Sequence, residues 1–220
     1  MTAIFAYVKD DNAFVAADTR RAILSLSTVA TKVHHRWSEH ILLAQTGAGQ
    51  PMTELLCEMT VWRDRNPGLV TFQGLVDVFN KLHAEHFRKA QERTKTTVIG
   101  TLVAACAADG ISPAQIVTFD FETGAQTVVG ACGSVYADGT DQAGFLEIAQ
   151  SQFARFGTSD RLELDGWAIA CLEQAIAARP NAVGWPADLA IVRPYPAPAR
   201  LTILRRIHDS TEPLNPAFAL

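Results

Sequence analysis

Two hydrophobic periods alternate along this chain in an order that few folds accommodate. Short apolar runs open it, Ala3 to Val8 and Ala13 to Ala17, and a third covers Ile41 to Ala44. Runs of this length bounded by turn residues read as strands, and Lys9-Asp10-Asp11-Asn12 makes the first two a hairpin. Helical spacing follows in Met52, Leu55, Leu56 and Met59, ending before Asn66-Pro67-Gly68. A second helical stripe, Phe72, Leu75, Val76, Phe79, Leu82, His86 and Phe87, begins after Thr71, a suitable N-cap. Thr97 to Cys106, Ala114 to Phe119 and Gln126 to Ala131 return to strand type. Phe145, Leu146, Ile148, Ala149 and Phe153, then Leu164, Trp167, Ala168, Cys171 and Ala175, are helical again, and Asp188 to Arg193 and Leu201 to Ile207 close the pattern as strands. Strict β-α-β alternation would build a doubly wound sheet. Helix pairs set between groups of strands build instead an α+β fold: two stacked sheets, each covered on its outer side by a helix pair.

With 220 residues, 48% of them hydrophobic and 19% charged, the chain has material for one large core. Residues 1–220 therefore read as a single domain, with about 208–220 an irregular tail. A net charge of −4, with no stretch that interleaves aromatics and several basic residues, argues against nucleic acid as a partner. No segment reaches the roughly 18 uninterrupted apolar residues of a spanning helix, so no membrane partner is expected. The opening "MTAIFAYVKDDNAFVAADTRR" has no basic residue before its apolar run and is stopped by Lys9, Asp10 and Asp11, which is not a secretory leader. Cys57, Cys106, Cys132 and Cys171 lie far apart in apolar or small-residue stretches, as reduced thiols of a cytoplasmic protein would.

Several short motifs fall below the threshold of a site. "TGAGQPM" follows a strand and precedes a helix, but Met52 stands where a dinucleotide loop needs its third glycine. His83 and His86 lack the i, i+4 spacing of a zincin and read as a helix face. Gly133-Ser134 lacks the flanks of a nucleophile elbow, and no His is indicated beside Cys132. No metal and no cofactor is called for. Asp138-Gly139-Thr140-Asp141 reads as a turn with a capping Asp, and His34-His35-Arg36 as a polar strand end.

Thr2 is different in kind. Its small side chain permits removal of Met1, and the exposed residue would carry an α-amine with a pKa of roughly 7.7 to 8.0 beside its own hydroxyl. Nucleophile and general base then reside in one residue. Three further segments accompany it: Ala16-Ala17-Asp18-Thr19-Arg20, Thr31-Lys32-Val33 and Thr46-Gly47-Ala48-Gly49. Together with the element order they resemble the proteasome β-subunits and the bacterial peptidase HslV over most of the chain. Among these N-terminal-nucleophile (Ntn) hydrolases, the likeness points to the bacterial, betaproteobacterial proteasome homologues.

The resemblance implies a four-layer α-β-β-α sandwich assembled into homo-oligomeric stacked rings, with peptides or unfolded protein as substrate and the choice of any ATPase partner open. It assigns Thr2 as nucleophile, Asp18 as the acid, Lys32 as the lysine and Gly47 as the oxyanion-hole glycine, with Arg20 in support. A Lys32 ammonium would favour the alkoxide developing at attack, and Asp18 would keep Lys32 charged and oriented. The family's glycine-serine segment matches Gly130 to Tyr136, making Cys132, Gly133 and Ser134 supporting residues. Arg21, His34, Gln45 and Gly49 fall near the first specificity pocket. Pro180 and Val183 depart from the pattern, standing where an Asp and a Ser support the threonine. A threonine endopeptidase activated by loss of Met1 is thus the leading expectation. A ring-forming homologue with little peptidase activity and an Ntn amidase on a small amide are the alternatives.

Overall fold

A computed structural model describes residues 2–23, 26–29, 33–47, 49–94, 98–131, 133–156, 163–194, 202–211, 213 and 216–218. In chain order the described residues form β1 (Ala3–Lys9), β2 (Asn12–Asp18), β3 (Arg20–Ile23), β4 (Leu26–Val29), β5 (Val33–Arg36) and β6 (Ile41–Gly47). The helix pair α1 (Gly49–Arg65) and α2 (Phe72–Thr94) follows, then β7 (Gly100–Cys106), β8 (Gln115–Asp120), β9 (Gln126–Gly130) and β10 (Val135–Gly139). The second pair, α3 (Gln142–Phe156) and α4 (Leu164–Ala178), precedes β11 (Ala187–Val192) and β12 (Thr202–Ile207).

Two five-stranded antiparallel sheets result, ordered β10-β1-β2-β11-β12 and β5-β6-β7-β8-β9, with β3 and β4 paired as a separate ribbon. Three hydrophobic layers hold them. Phe5, Tyr7, Phe14, Leu189 and Ile191 face α3 and α4, where Phe145, Trp167 and Leu172 meet them. Leu43, Leu102 and Phe119 face α1 and α2 through Leu55, Leu75 and Phe79. Between the sheets lie Ile4, Val15, Leu42, Val103, Ile116 and Ala190. Both faces of the central strands are therefore buried, which is why β1 and β2 read as nearly continuous apolar runs rather than as alternating ones. The architecture is the four-layer α-β-β-α sandwich of Ntn type.

Local signals explain the element ends. The Thr71 hydroxyl accepts the Gly74 N–H at 3.1 Å and caps α2. Asp141 does the same for α3, its Oδ1 accepting the Gly144 N–H at 3.2 Å. Four strands escaped the periodicity: β3, β4 and β5, four residues each, the last read only as a polar strand end, and β10, whose Asp-Gly end imitates a turn. The tail is not wholly loose. Phe218 is fully buried and meets Phe14 edge-on with ring centroids 6.1 Å apart, and the Arg193 guanidinium donates to the Ala217 carbonyl at 2.8 Å.

Candidate active site

Thr2 enters β1 almost fully enclosed, with 4% of its surface exposed. Its position follows from pairing: β1 runs antiparallel to β10 on one side, Ala3 opposite Gly139, and to β2 on the other, Ile4 opposite Ala17. The end of β10 therefore arrives beside Thr2. The Thr2 N–H donates to Thr140 Oγ1 at 3.3 Å, and the Thr140 N–H donates back to the Thr2 carbonyl at 3.2 Å. Gly139 presses so closely on the Thr2 carbonyl, at φ 138°, that no side chain could stand there.

Asp18 closes β2 on the other flank, with no exposed surface, and its Oδ1 accepts the Ala3 N–H at 2.8 Å. Thr19 then anchors the end of β2, its N–H and its hydroxyl both donating to the Pro186 carbonyl at 2.9 and 2.6 Å. Thr2 is thus held from both neighbouring strands through backbone positions one residue apart.

The opposite sheet contributes Gly47, the last residue of β6, exposed and at φ 80°. A Cβ there would run into the Ile99 carbonyl, so only glycine keeps this backbone and leaves its N–H clear of a side chain. Thr46, just before it, reaches across the gap between the sheets, and its hydroxyl donates to Asp138 Oδ2 at 3.1 Å. Asp138 Oδ1 accepts the Gly139 N–H at 2.6 Å. The phenol of Tyr136, on the same side of β10, has its ionisation pushed well up by burial, and further by the charge of Asp138 and a hydrogen bond to it. Thr140 and Asp18 thus flank the start of β1, and Asp138 joins Gly139, beside Thr140, to Thr46, beside Gly47, across the two sheets.

No protein-family model matches the chain, and no curated protein matches it. Among solved structures it is similar to Anbu (ancestral beta-subunit) from Yersinia bercovieri, with a TM-score of 0.66 at 13% identity over 94% of this chain and 87% of that one. It is also similar to the Anbu Gly-1 mutant from Hyphomicrobium sp. strain MC1, with a TM-score of 0.62 at 14% identity over 94% and 88% of the two chains. The fold is Anbu-like. This corrects the resemblance to the proteasome β-subunits, HslV and the betaproteobacterial proteasome homologues: Anbu is related to those proteins but is a separate family. Of the motif residues that suggested them, Asp18 ends β2 and Gly47 ends β6, and residues fixed by the ends of strands mark the shared fold rather than a branch of it.

Within this Anbu-like frame one assignment moves. Gly133 and Ser134 do not support Thr2, because they sit at the far end of β1: the Gly133 N–H donates to the Val8 carbonyl at 2.8 Å, and the Val8 N–H to the Ser134 carbonyl at 3.3 Å. Val8 lies six residues along the strand from Thr2, about 20 Å away. Antiparallel pairing of β1 with β10 requires this, since Tyr7 faces Val135 while Ala3 faces Gly139. Thr140 brings the hydroxyl instead. Its only sequence signal was a hydroxyl residue directly before a helix cap.

Lys32 and Cys132 lie outside the described residues. Arg20 and Arg21 begin β3, and His34 lies in β5. Gln45 is buried on the α1 side of β6, where its amide donates to Thr53 Oγ1 at 3.3 Å, and Thr53 in turn donates to the Gly49 carbonyl at 2.7 Å. Pro180 occupies the turn after α4, and Val183 is buried in the apolar layer with Trp167, offering Thr2 no polar group. The histidines of α2 serve packing: His83 stacks on Phe79 with centroids 5.2 Å apart, and His86 Nε2 lies 2.9 Å from Glu58. Among the described residues no helix is long and apolar enough to cross a membrane.

Proposed function

We propose that the chain is an Anbu-like, ring-forming hydrolase subunit that cleaves amide bonds of peptides through Thr2. The observation that carries this reading is the Thr2–Thr140 pair, which places a hydroxyl 3.3 Å from the nitrogen that becomes the α-amine when Met1 is removed. That amine takes the proton of the Thr2 hydroxyl as its oxygen attacks the scissile carbonyl. The Gly47 N–H receives the developing oxyanion, a donor worth roughly 3 to 4 kcal/mol in such reactions. The amine then passes the proton to the departing nitrogen, leaving an ester on Thr2 that water hydrolyses. Lys32, held charged by Asp18, steadies the alkoxide in this scheme.

A second reading, a ring that keeps the fold with weak peptidase activity, draws on Val183: its side chain joins the apolar core and adds nothing to the amine's support. Turnover of fluorogenic peptides by the chain freed of Met1, set against Thr2→Ala, with assembly size from native mass spectrometry, separates the two. A large assembly with Thr2-dependent turnover supports the peptidase. A large assembly without turnover supports the second reading, and a monomer or dimer without turnover refutes both.

A further inference from the structure

Resting on the reading of Thr2 as the reacting residue, we propose that Asp138 is a positioning residue that sets the distance between the Gly47 N–H and Thr2 by clamping the two sheets at the mouth of their cleft. The residue is 8% exposed and belongs to the face of β10 that looks across at the other sheet, a mainly apolar layer that includes Ile4, Ala17, Ala44 and Val103, with Tyr136 the neighbour whose phenol also hydrogen-bonds to it. A carboxylate in such surroundings needs partners. Its two oxygens hold one side-chain hydroxyl and one backbone N–H, each on a residue adjoining one that the chemistry uses. Oδ2 takes the hydroxyl of Thr46, the residue before Gly47, and Oδ1 takes the N–H of Gly139, the residue before Thr140. Gly139 itself bears on the Thr2 carbonyl. One side chain thereby couples the donor expected to meet the oxyanion with the strand end that holds the nucleophile.

Asp188 provides the contrast. It lies in the same row of the sheet, since Ile4 faces both Asp138 and Ala17, and Ala17 faces Asp188. Its oxygens are taken by Arg206 at 2.6 and 2.9 Å, an ion pair between neighbouring strands of one sheet. Asp188 stitches within a sheet, whereas Asp138 reaches between sheets.

The clamp is tested in two ways on the chain freed of Met1. Amide exchange over residues 41–52 requires no turnover: Asp138→Ala and Thr46→Val speed exchange at Gly47 and Gly49, across the cleft from position 138. Asp138→Asn, whose amide can still accept from Gly139 and donate to Thr46, leaves it near the parent. In acylation by a β-lactone, kinact falls at least about tenfold in Asp138→Ala and Thr46→Val with KI within about twofold, and Asp138→Asn restores it. Asp188→Asn loses stability and keeps kinact. Should Asp138→Ala not fold, Thr46→Val carries both readouts. Unchanged exchange at Gly47 and Gly49 overturns the clamp, as does an equal loss of kinact in the Asp138→Ala and Asp188→Asn variants. A parent chain that does not react with the lactone refutes the reading of Thr2 instead, and the exchange result still decides the clamp.

Discussion

Thr2 and Thr140 hold each other reciprocally: the N–H of Thr2 donates to the Thr140 hydroxyl at 3.3 Å, and the N–H of Thr140 to the Thr2 carbonyl at 3.2 Å. The second bond is backbone only and survives any substitution of the Thr140 side chain. Thr140→Val therefore keeps the strand pairing and removes only the acceptor at the nitrogen. We expect acylation of Thr2 to slow by roughly ten- to a hundredfold, and Thr140→Ser to stay within a few-fold of the parent. Inactivation rates with a β-lactone measure this, and a Thr140→Val variant as fast as the parent would show that the hydroxyl is idle.

Gly47 cannot accept a side chain. Its φ of 80° disfavours any L residue, and a Cβ would displace the Ile99 carbonyl. Gly47→Ala should cost about 2 to 4 kcal/mol in urea denaturation, with loss of acylation in the molecules that remain folded. A variant with parental stability would mean that the β6 end rearranges freely.

Asp141 links the hydroxyl of its neighbour Thr140 to the helix behind it. Its Oδ1 caps α3 at Gly144, and its Oδ2 accepts from Arg179 at 2.7 Å. Asp141→Ala should lose about 1 kcal/mol of stability through the cap and slow acylation roughly three- to tenfold by loosening Thr140. Arg179→Ala, which breaks only a surface pair, should change stability by no more than about 0.5 kcal/mol. Equal effects of the two substitutions would shift the weight from the cap to the ion pair.

The thiols predict an alkaline limit to stability. Burial, with a smaller contribution from the Asp109 charge, raises the Cys106 thiol from 9.0 to about 12, and burial pushes Cys171 up as well. Above pH 9 an unfolded chain ionises a thiol that the folded chain keeps protonated. The stabilising contribution is thus fully present below that value and is lost as the pH climbs toward 12, by about 1 kcal/mol per pH unit for each such thiol. Denaturation midpoints of the parent and of Cys106→Ala at pH 8 and pH 10.5 test the sign: the parent should fall more steeply. At pH 8 an alkylating reagent should modify exposed Cys57 and leave Cys106 and Cys171 untouched until the chain unfolds.

Legibility of the sequence followed the range of the interactions. The hairpin of β1 and β2, and helices α1 to α4, could be read from local period and from caps such as Thr71, because each buries a contiguous stripe. The sandwich itself followed from the order of those elements. Strand β10 could not be read, since Val135-Tyr136-Ala137-Asp138-Gly139 is short, ends in turn residues and owes its extension to pairing with β1 far away in sequence. With β10 went its functional end: Thr140 was hidden in an apparent turn, and the supporting role passed to Gly133 and Ser134, which have suitable residue types on the wrong end of the strand. The link from Thr46 to Asp138 is likewise invisible to periodicity, because it joins two sheets. The family likeness failed at the same level, in that cleft residues identify the chemistry a fold can host and not the branch that hosts it.

Whether Thr2 reacts through its own amine and hydroxyl is decided by intact-mass spectrometry before and after a peptide epoxyketone, because that reagent closes its ring adduct only on a residue bearing both groups. A chain lacking Met1 should gain one stoichiometric adduct on Thr2, with the gain abolished in Thr2→Ala. A chain that has lost Met1 and stays unmodified by several differently substituted epoxyketones, or an adduct that persists in Thr2→Ala, would contradict that role of Thr2.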